Sequence, residues 1–173
     1  MKTAYKSPFL QVYLENFKIK KRKISNFHKI IMNNATMVVL ENKDNKVLIV
    51  NEYRRAFKKV VFGFPGGHIE KNEKPLTAIK RELKEECGYV GENWKLLFSY
   101  TRSGSYGCGK EFVYTAKLKG EVKNFIKSEE IDTLKWISKK QLLNLILKKK
   151  STSGIISSVF YYLYKKSRFE KLK

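Results

Sequence analysis

The sequence has few cysteines and no long apolar runs, and each shortage excludes a class of protein. Two cysteines, Cys87 and Cys108, are too few for a disulfide framework, and neither lies at metal-ligand spacing. The longest apolar runs, such as MVVL and VLIV, are far shorter than the roughly 20 residues of a membrane-spanning helix. The first residues, MKTAYKSPFLQVYLENF, lack the apolar core of a secretion signal. We therefore expect a cytoplasmic protein without membrane contacts.

Acidic residues are also scarce, and the basic excess has an unusual composition. The chain contains 16 acidic and 37 basic residues, which gives a net charge of +21. Of the basic residues 31 are Lys and 6 are Arg, spread along the chain with small clusters at KIKKRK and LKKK. A surface that recognises phosphates would use arginine for bidentate contacts, so nucleic acid is a partner that the composition does not favour. The positive field would still attract an anionic substrate.

The remaining composition is that of one globular domain of mixed class. With 173 residues, 42% of them hydrophobic, the chain can bury one sizeable core. The polar turn ENKDN between Thr36–Leu40 and Lys46–Asn51 predicts a hairpin. Strands are also expected at LQVYLENFKIKK, KISNFHKIIM, WKLLFSYT, KEFVYTAKL and DTLKWIS, and a helix at SKKQLLNLILKKK. A last helix is expected at GIISSVFYYLYKKS, where the aromatic and β-branched residues leave a strand as the alternative. Hairpins and helices in this order predict a mixed α/β domain rather than a parallel doubly wound sheet.

One further helix, expected over Pro75–Cys87 with Gly88 just past its end, carries its acids in an unfavourable arrangement. Glu82 and Glu86 lie side by side at the edge of its apolar stripe, with Glu85 beside them. Like charges at this spacing, near the negative end of the helix dipole, destabilise a helix. A bound divalent cation such as Mg²⁺ would relieve that repulsion. An ordinary solvated Glu/Lys face is the alternative that these residues alone leave open.

The residues before this helix complete a longer pattern. In GHIEKNEKPLTAIKRELKEECGY, Gly67 is followed after five residues by Glu73, and seven residues later by RELKEECG. This 23-residue segment resembles the signature box of the Nudix hydrolases, and it departs only at Tyr89, where the family has an aliphatic residue. The strand order around it also resembles that family. The resemblance implies a Nudix-type α/β/α sandwich with a mixed sheet, and a single Nudix hydrolase domain over residues 1–173.

The same resemblance implies a metal site and a reaction. Nudix hydrolases cleave the pyrophosphate bond of a nucleoside diphosphate linked to another group, using Mg²⁺, with Mn²⁺ as the alternative cation. By position the implied metal ligands are Glu82, Glu85, Glu86 and the backbone carbonyl of Gly66. Glu73 and Arg81 would pair and hold the loop against the helix, whereas His68, at a variable position, is expected to face solvent.

The general base has several candidates. The resemblance to the ADP-ribose pyrophosphatase branch implies a base on the loop before the last strand, where that branch has a Glu. At the corresponding place IKSEEIDTLKWIS offers Glu129 and Glu130. These two could equally be exposed loop acids, and Glu85 of the box is the competing base. The choice stays open at the level of sequence.

The substrate expectation comes from a second segment. VNEYRRAF is similar to the (Q/E)YR segment of ADP-ribose and nucleotide-sugar pyrophosphatases, which nominates Arg54 for substrate phosphate, and after it Tyr53 and Arg55. Strands in residues 1–35 resemble those through which that branch dimerises, so a homodimer is expected. Arg102, in the loop RSGSYGCG, could line the far moiety of the substrate, although a flexible connector fits that loop equally well.

Two departures weaken the assignment to that branch. Gly63 stands where the branch usually has Glu, and the loop SYTRSGSYGCGKEF lacks the usual proline. The first expectation is hydrolysis of ADP-ribose or a nucleotide sugar. The alternatives are hydrolysis of capped RNA 5′ ends, dinucleoside polyphosphates or modified nucleoside triphosphates, and a ligand-sensing protein of this fold without catalysis.

Overall fold

The structure, a computed structural model, describes residues 1–127, 129–148, 155, 158–159 and 161–163. It contains eleven strands and two helices in those ranges, with a short 3₁₀ turn at Arg55–Phe57. In chain order they are β1 (Lys2–Lys6), β2 (Leu10–Ile19), β3 (Arg22–Met32), β4 (Ala35–Glu41), β5 (Val47–Arg54), β6 (Lys59–Gly63), β7 (Gly66–His68), α1 (Pro75–Cys87), β8 (Tyr89–Thr101), β9 (Gly107–Cys108), β10 (Lys110–Glu121), β11 (Ile131–Ile137) and α2 (Lys139–Lys148).

The larger sheet is mixed, as the sequence predicts. Its strand order is β11-β5-β4-β10-β8, with β6 added beside β5 and β7 beside β4. Strand β10 runs parallel to β4, whereas the pairs β4–β5, β8–β10 and β5–β11 are antiparallel. The smaller sheet joins β1, β2 and β3 with the two-residue strand β9, which runs parallel to β3. The loop that precedes β10 is thereby attached to the N-terminal strands.

Helices cover both faces of the larger sheet, which explains why its central strands are apolar throughout. Along β4, Met37 and Val39 point to one face and Val38 and Leu40 to the other, and all four are buried. The first face packs against Leu142 and Ile146 of α2, and the second against Ile79, Leu83 and Cys87 of α1. A strand buried on both faces needs apolar residues at every position. The three layers confirm the α/β/α sandwich.

Helix α1 begins and ends where the sequence places it. Pro75 occupies the first turn, and Gly88 closes the helix at φ +69°, where its N–H donates to the carbonyls of Leu83 and Lys84. A Cβ on Gly88 would stand 2.4 Å from the Phe125 ring, so glycine is required there by space as well as by conformation. The helix is therefore fixed at both ends, and with it the position of its acidic residues.

Some elements were not predicted, and one lies only partly in the described chain. Strands β1 and β9 and the 3₁₀ turn lack a clear periodic pattern, because β9 has two residues and β1 is exposed at every position. In GIISSVFYYLYKKS the described residues, 155, 158–159 and 161–163, are helical; its other residues, like Lys149 and Lys150, lie outside the described ranges. Neither α1 nor α2 nor any other described helix is long and apolar enough to cross a membrane.

Candidate functional site

Strand β7 brings two glycines against neighbouring groups that leave no space for a side chain. A Cβ on Gly66 would lie 2.2 Å from the carbonyl oxygen of Thr36 on β4, and a Cβ on Gly67 would lie 2.4 Å from the Glu82 carboxylate. The Thr36 oxygen belongs to the backbone, so glycine is required at Gly66, whereas a side chain at Gly67 would displace the flexible Glu82 carboxylate. The two glycines place a strip of backbone directly beside the acids of α1.

Arg81 organises the acidic residues of α1 and the loop before it. Its Nε and Nη2 donate to the two carboxylate oxygens of Glu73, both at 3.1 Å, and Nη2 also donates to the carbonyl of His68 at 3.2 Å. Its Nη1 donates to Glu82 at 3.1 Å and to Glu85 at 3.0 Å. The Glu73–Arg81 pair expected from the resemblance is present in bidentate form, and the loop is held against the helix through it.

Glu86 is the half-buried carboxyl group of α1 with the largest change in pKa. Its Oε2 accepts a hydrogen bond of 3.0 Å from the backbone N–H of Gly66. Burial raises its pKa to about 8, and the charges of Glu82 and Glu52 act in the same direction, while the Gly66 N–H and Arg54 oppose them. Burial also raises the pKa of Glu82, against the influence of Arg81. Two carboxyl groups of α1 therefore lie where a nearby cation would favour their ionised forms.

The donor atoms at this place fit a hard divalent cation. Mg²⁺ prefers oxygen ligands and is commonly held by one or two carboxylates, with water and substrate phosphate completing its shell. Within the described residues no three His, Cys, Asp or Glu side chains stand close enough to hold one ion together. Glu82 and Glu86, with the carbonyl of Gly66, offer the right donor type, and the burial of Glu86 leaves a carboxyl group that a cation would ionise. Glu85 is 59% exposed and engaged by Arg81.

We predict that Mg²⁺ and protons compete at this place. The pKa of Glu86 rises from 4.5 when exposed to about 8 in the folded chain, so its contribution to stability is present below pH 4.5 and is lost as pH rises through 8. A bound cation would favour the ionised form. The increase in melting temperature caused by Mg²⁺ should therefore be larger at pH 8.5 than at pH 6.5, measured by differential scanning fluorimetry. The Glu86→Gln variant should lose that difference; an equal increase at both pH values in the unmodified chain would contradict the prediction.

Two cationic side chains lie close to His68, the last residue of β7. His68 is an exposed residue, as expected, although its ring is partly desolvated. This partial burial lowers its pKa most, and the charges of Arg102 and Arg54 lower it further. Both arginines therefore lie near His68, and Arg54 also lies near Glu86 of α1. Arg54 ends β5 and forms an ion pair of 2.8 Å with Glu52. Negative and positive groups thus meet along one edge, which suits a cation together with a phosphate group.

The other nominated residues lie farther from the acids of α1. Strand alternation places Tyr53 on the opposite face of β5 from Arg54, and its side chain is exposed. Arg55 pairs with Glu130 at 3.3 Å on the surface. Burial raises the pKa of Glu52, Arg54 opposes this, and the charge of nearby Glu130 raises it further, whereas Glu129 is an exposed turn residue. The structure thus brings Arg54 close to Glu86, Arg102 close to His68, and Glu130 close to Glu52.

A comparison with protein families decides the identity of this arrangement. The model of the NUDIX domain matches residues 32–158, well over half of the chain. The chain belongs to the NUDIX family. The match covers α1, β7 and Arg54, and it leaves β1 and β2 outside.

Individual proteins are similar to this chain over shorter stretches. The methanol dehydrogenase activator of Bacillus methanolicus is 34% identical over 83 residues, which are 48% of this chain and 45% of the relative. The ADP-ribose pyrophosphatase of Bacillus subtilis (strain 168) is 27% identical over 96 residues, 55% of this chain and 52% of the relative. This chain thus spans about half the length of these curated relatives.

A solved structure extends the likeness beyond the domain match. The crystal structure of an ADP compounds hydrolase superposes with a TM-score of 0.75 at 21% identity, over 94% of this chain and 89% of the other. At that identity the likeness concerns the fold. It includes the region of the N-terminal strands, because so little of this chain lies outside the alignment.

Sequence reasoning missed Glu52, although the signal was available. Glu52 lies two residues after Val50 and four after Leu48, both of which pack beneath α1. Strand alternation therefore places Glu52 on the α1 face. The segment VNEYRRAF resembles its family counterpart through its arginines, and Glu52, which precedes them, has no role in that resemblance. Glu111, which accepts a hydrogen bond of 2.6 Å from the Tyr100 hydroxyl and acts on His68, was missed in the same way.

Proposed function

We propose that this NUDIX protein hydrolyses the pyrophosphate bond of a nucleoside diphosphate linked to another group, with ADP-ribose as the first candidate and Mg²⁺ as the cation. The observation that carries the proposal is the position of Glu86, a half-buried carboxyl group that is bonded to the Gly66 backbone and lies within electrostatic reach of both Glu82 and Arg54. A site for a cation and a site for a diphosphate are thereby adjacent.

The chemistry divides between the cation and the chain. When bound, Mg²⁺ would neutralise the phosphate charge and lower the pKa of water. Glu82, Glu86 and the Gly66 carbonyl hold that cation, and Arg54 and Arg102 bind and orient the diphosphate. A water oxygen attacks phosphorus, the bond from that phosphorus to the bridging oxygen breaks, and a carboxylate accepts the proton of the water. From ADP-ribose the products are AMP and ribose 5-phosphate.

Three carboxylates compete for the role of general base. Glu85 is on α1 beside the proposed cation site, with one oxygen engaged by Arg81. Glu130 pairs with exposed Arg55, which leaves it able to turn toward a substrate, and Glu129 adjoins it. The base is the residue whose change to Gln lowers kcat most and removes the acidic limb of the pH–rate profile. Single Gln variants of the three residues, assayed in parallel, distinguish them.

The substrate part of the proposal rests on relatives and on two segments of the chain. The name of the Bacillus subtilis relative states ADP-ribose, and Arg54 occupies the position of the phosphate-binding arginine in the resembling segment. We expect ADP-ribose to be hydrolysed with the highest kcat/KM in a panel with Mg²⁺ that also contains nucleotide sugars, dinucleoside polyphosphates, 8-oxo-dGTP and capped RNA. Phosphate release after phosphatase treatment is the readout. A preference for capped RNA would overturn the ADP-ribose assignment, and binding without turnover would favour a ligand sensor.

A homodimer through residues 1–35 is part of the same proposal. Strand β1 is an edge strand of the smaller sheet, next to β2, and this region exposes Tyr5, Phe9 and Ile19. Exposed apolar residues on an edge sheet suit a second copy of the chain. Sedimentation velocity at micromolar concentration tests it, since a mass of 20.3 kDa would show a monomer.

A further inference from the structure

Glu52 is less exposed than its location near the end of a strand would suggest. It is the sixth residue of β5, on the face that α1 covers, and its side chain is only 17% exposed although the strand end around it is open to solvent. Carboxylates are rarely this buried unless they are paired. Its partner is Arg54, whose Nη2 lies 2.8 Å from Glu52 Oε2.

Arg54, in contrast to Glu52, is largely exposed. Its side chain is 54% exposed, so the guanidinium has one nitrogen on Glu52 and other donors directed to solvent. The neighbouring pair, Arg55 and Glu130, is 3.3 Å apart and exposed on both sides, and such a surface pair fixes little. The arginine next to the acids of α1 is therefore the one that is anchored.

The Glu52–Arg54 pair also interacts electrostatically with groups on both α1 and β7. The charge of Glu52 helps to raise the pKa of Glu86, beside the larger effect of burial. Arg54 acts electrostatically on both Glu86 and His68. An unanchored Arg54 could turn toward the acids of α1, which would attract it. With Glu52 in place, the guanidinium has a carboxylate partner of its own.

We propose that Glu52 is a positioning residue that holds the Arg54 guanidinium ready for the phosphates of the substrate. The inference rests on the proposed function for the identity of the substrate, and on the Glu52–Arg54 geometry for everything else. A side chain that is already ordered loses less freedom when a ligand binds, so the pair acts on affinity. Glu52 itself does not touch the substrate.

The effect should appear in KM and not in kcat. Glu52→Gln keeps the size of the side chain and removes its charge, and we expect KM for ADP-ribose to rise about 5–10-fold with kcat within about 2-fold, because binding is weakened in ground and transition states alike. Arg54→Ala should raise KM further. The double variant should be no worse than Arg54→Ala, because an anchor without its arginine has no effect. Glu92→Gln, which removes one charge from an exposed position on β8, should change neither constant.

A binding measurement separates this inference from the proposed function. Calorimetric titration of ADP, a diphosphate without a linked second group, should show the same weakening in Glu52→Gln and none in the Glu92→Gln control. Failure of the unmodified chain to hydrolyse ADP-ribose would remove the proposed function, while the ADP titration would still test the anchor. The inference is overturned if Glu52→Gln binds ADP as well as the unmodified chain, if the loss persists at full size in the Arg54→Ala background, or if the unmodified chain does not bind ADP.

Discussion

Replacing Glu86 with Gln should lower the hydrolysis rate by about 10²-fold or more while the fold remains stable. Changing a residue that supports a metal ligand typically costs 10–100-fold, so changing a ligand itself should cost at least the upper end of that range. The stability should hold because Glu86, with a pKa of about 8, is mostly protonated at pH 7 without a cation. A neutral amide oxygen can accept the same N–H of Gly66. Initial rates with ADP-ribose and Mg²⁺, together with thermal melting, measure both parts.

The control for Glu86→Gln is the same change at Glu92, an exposed residue of β8. It alters the net charge equally but lies outside the α1 cluster, so its rate should match that of the unmodified chain. Retention of activity in Glu86→Gln would show that the cation is held elsewhere. A loss of activity accompanied by unfolding would instead contradict the assignment of Glu86 as a group that stability does not require.

Replacing Arg81 with Ala should affect stability and activity together. Arg81 donates five hydrogen bonds, to Glu73, Glu82, Glu85 and the carbonyl of His68, and its side chain is 26% exposed. Removing it leaves three carboxylates without their common partner, at a cost of about 2–3 kcal/mol. For a domain of this length that corresponds to a melting temperature lower by about 5–10 °C. The loop and Glu82 would also shift, so kcat/KM should fall about 10²-fold.

Lys84→Ala is the matched control on the same helix. Lys84 is exposed, so its replacement should change the free energy of unfolding by no more than about 0.5 kcal/mol. Melting curves and rates of the two variants are best measured side by side. An Arg81→Ala variant that melts with the unmodified chain would mean that the hydrogen bonds around Arg81 do not hold the loop on α1.

The pH dependence of stability offers a smaller test of the same pair. Hydrogen bonding to Arg81 lowers the pKa of Glu73 below 4.5, so the stabilisation is present above pH 4.5 and is lost as pH falls through the lower folded value. The difference in melting temperature between the unmodified chain and Glu73→Gln should therefore shrink as the pH falls from 7 to well below 4.5. A constant difference would indicate that Glu73 acts through its size alone.

The sequence predicts the scaffold well wherever the signals are local and repeated. The bounds of α1 follow from Pro75 and Gly88, and the two-sided burial of β4 follows from an unbroken apolar run. The resemblance to the Nudix box also nominated the Glu73–Arg81 pair that the structure contains. Residues fixed by short-range rules are therefore the ones that a single sequence can place.

The remaining features depend on contacts between distant parts of the chain. The two residues of β9 become a strand only because β3 lies beside them, some 75 residues earlier in sequence. Glu52 acquires its role from the packing of α1 over β5, and Arg102 approaches His68 only once its loop is attached to the smaller sheet. The pattern of the segment around Glu52 shows which face it occupies but not which helix covers that face.

The most direct test of the account is hydrolysis of ADP-ribose by the unmodified chain, first in EDTA and then after addition of excess Mg²⁺, with the products separated by chromatography. The account predicts no turnover in EDTA, and equal amounts of AMP and ribose 5-phosphate once Mg²⁺ is present. Turnover that is the same in EDTA and in Mg²⁺, or the absence of turnover of any nucleoside diphosphate compound in Mg²⁺, would contradict it.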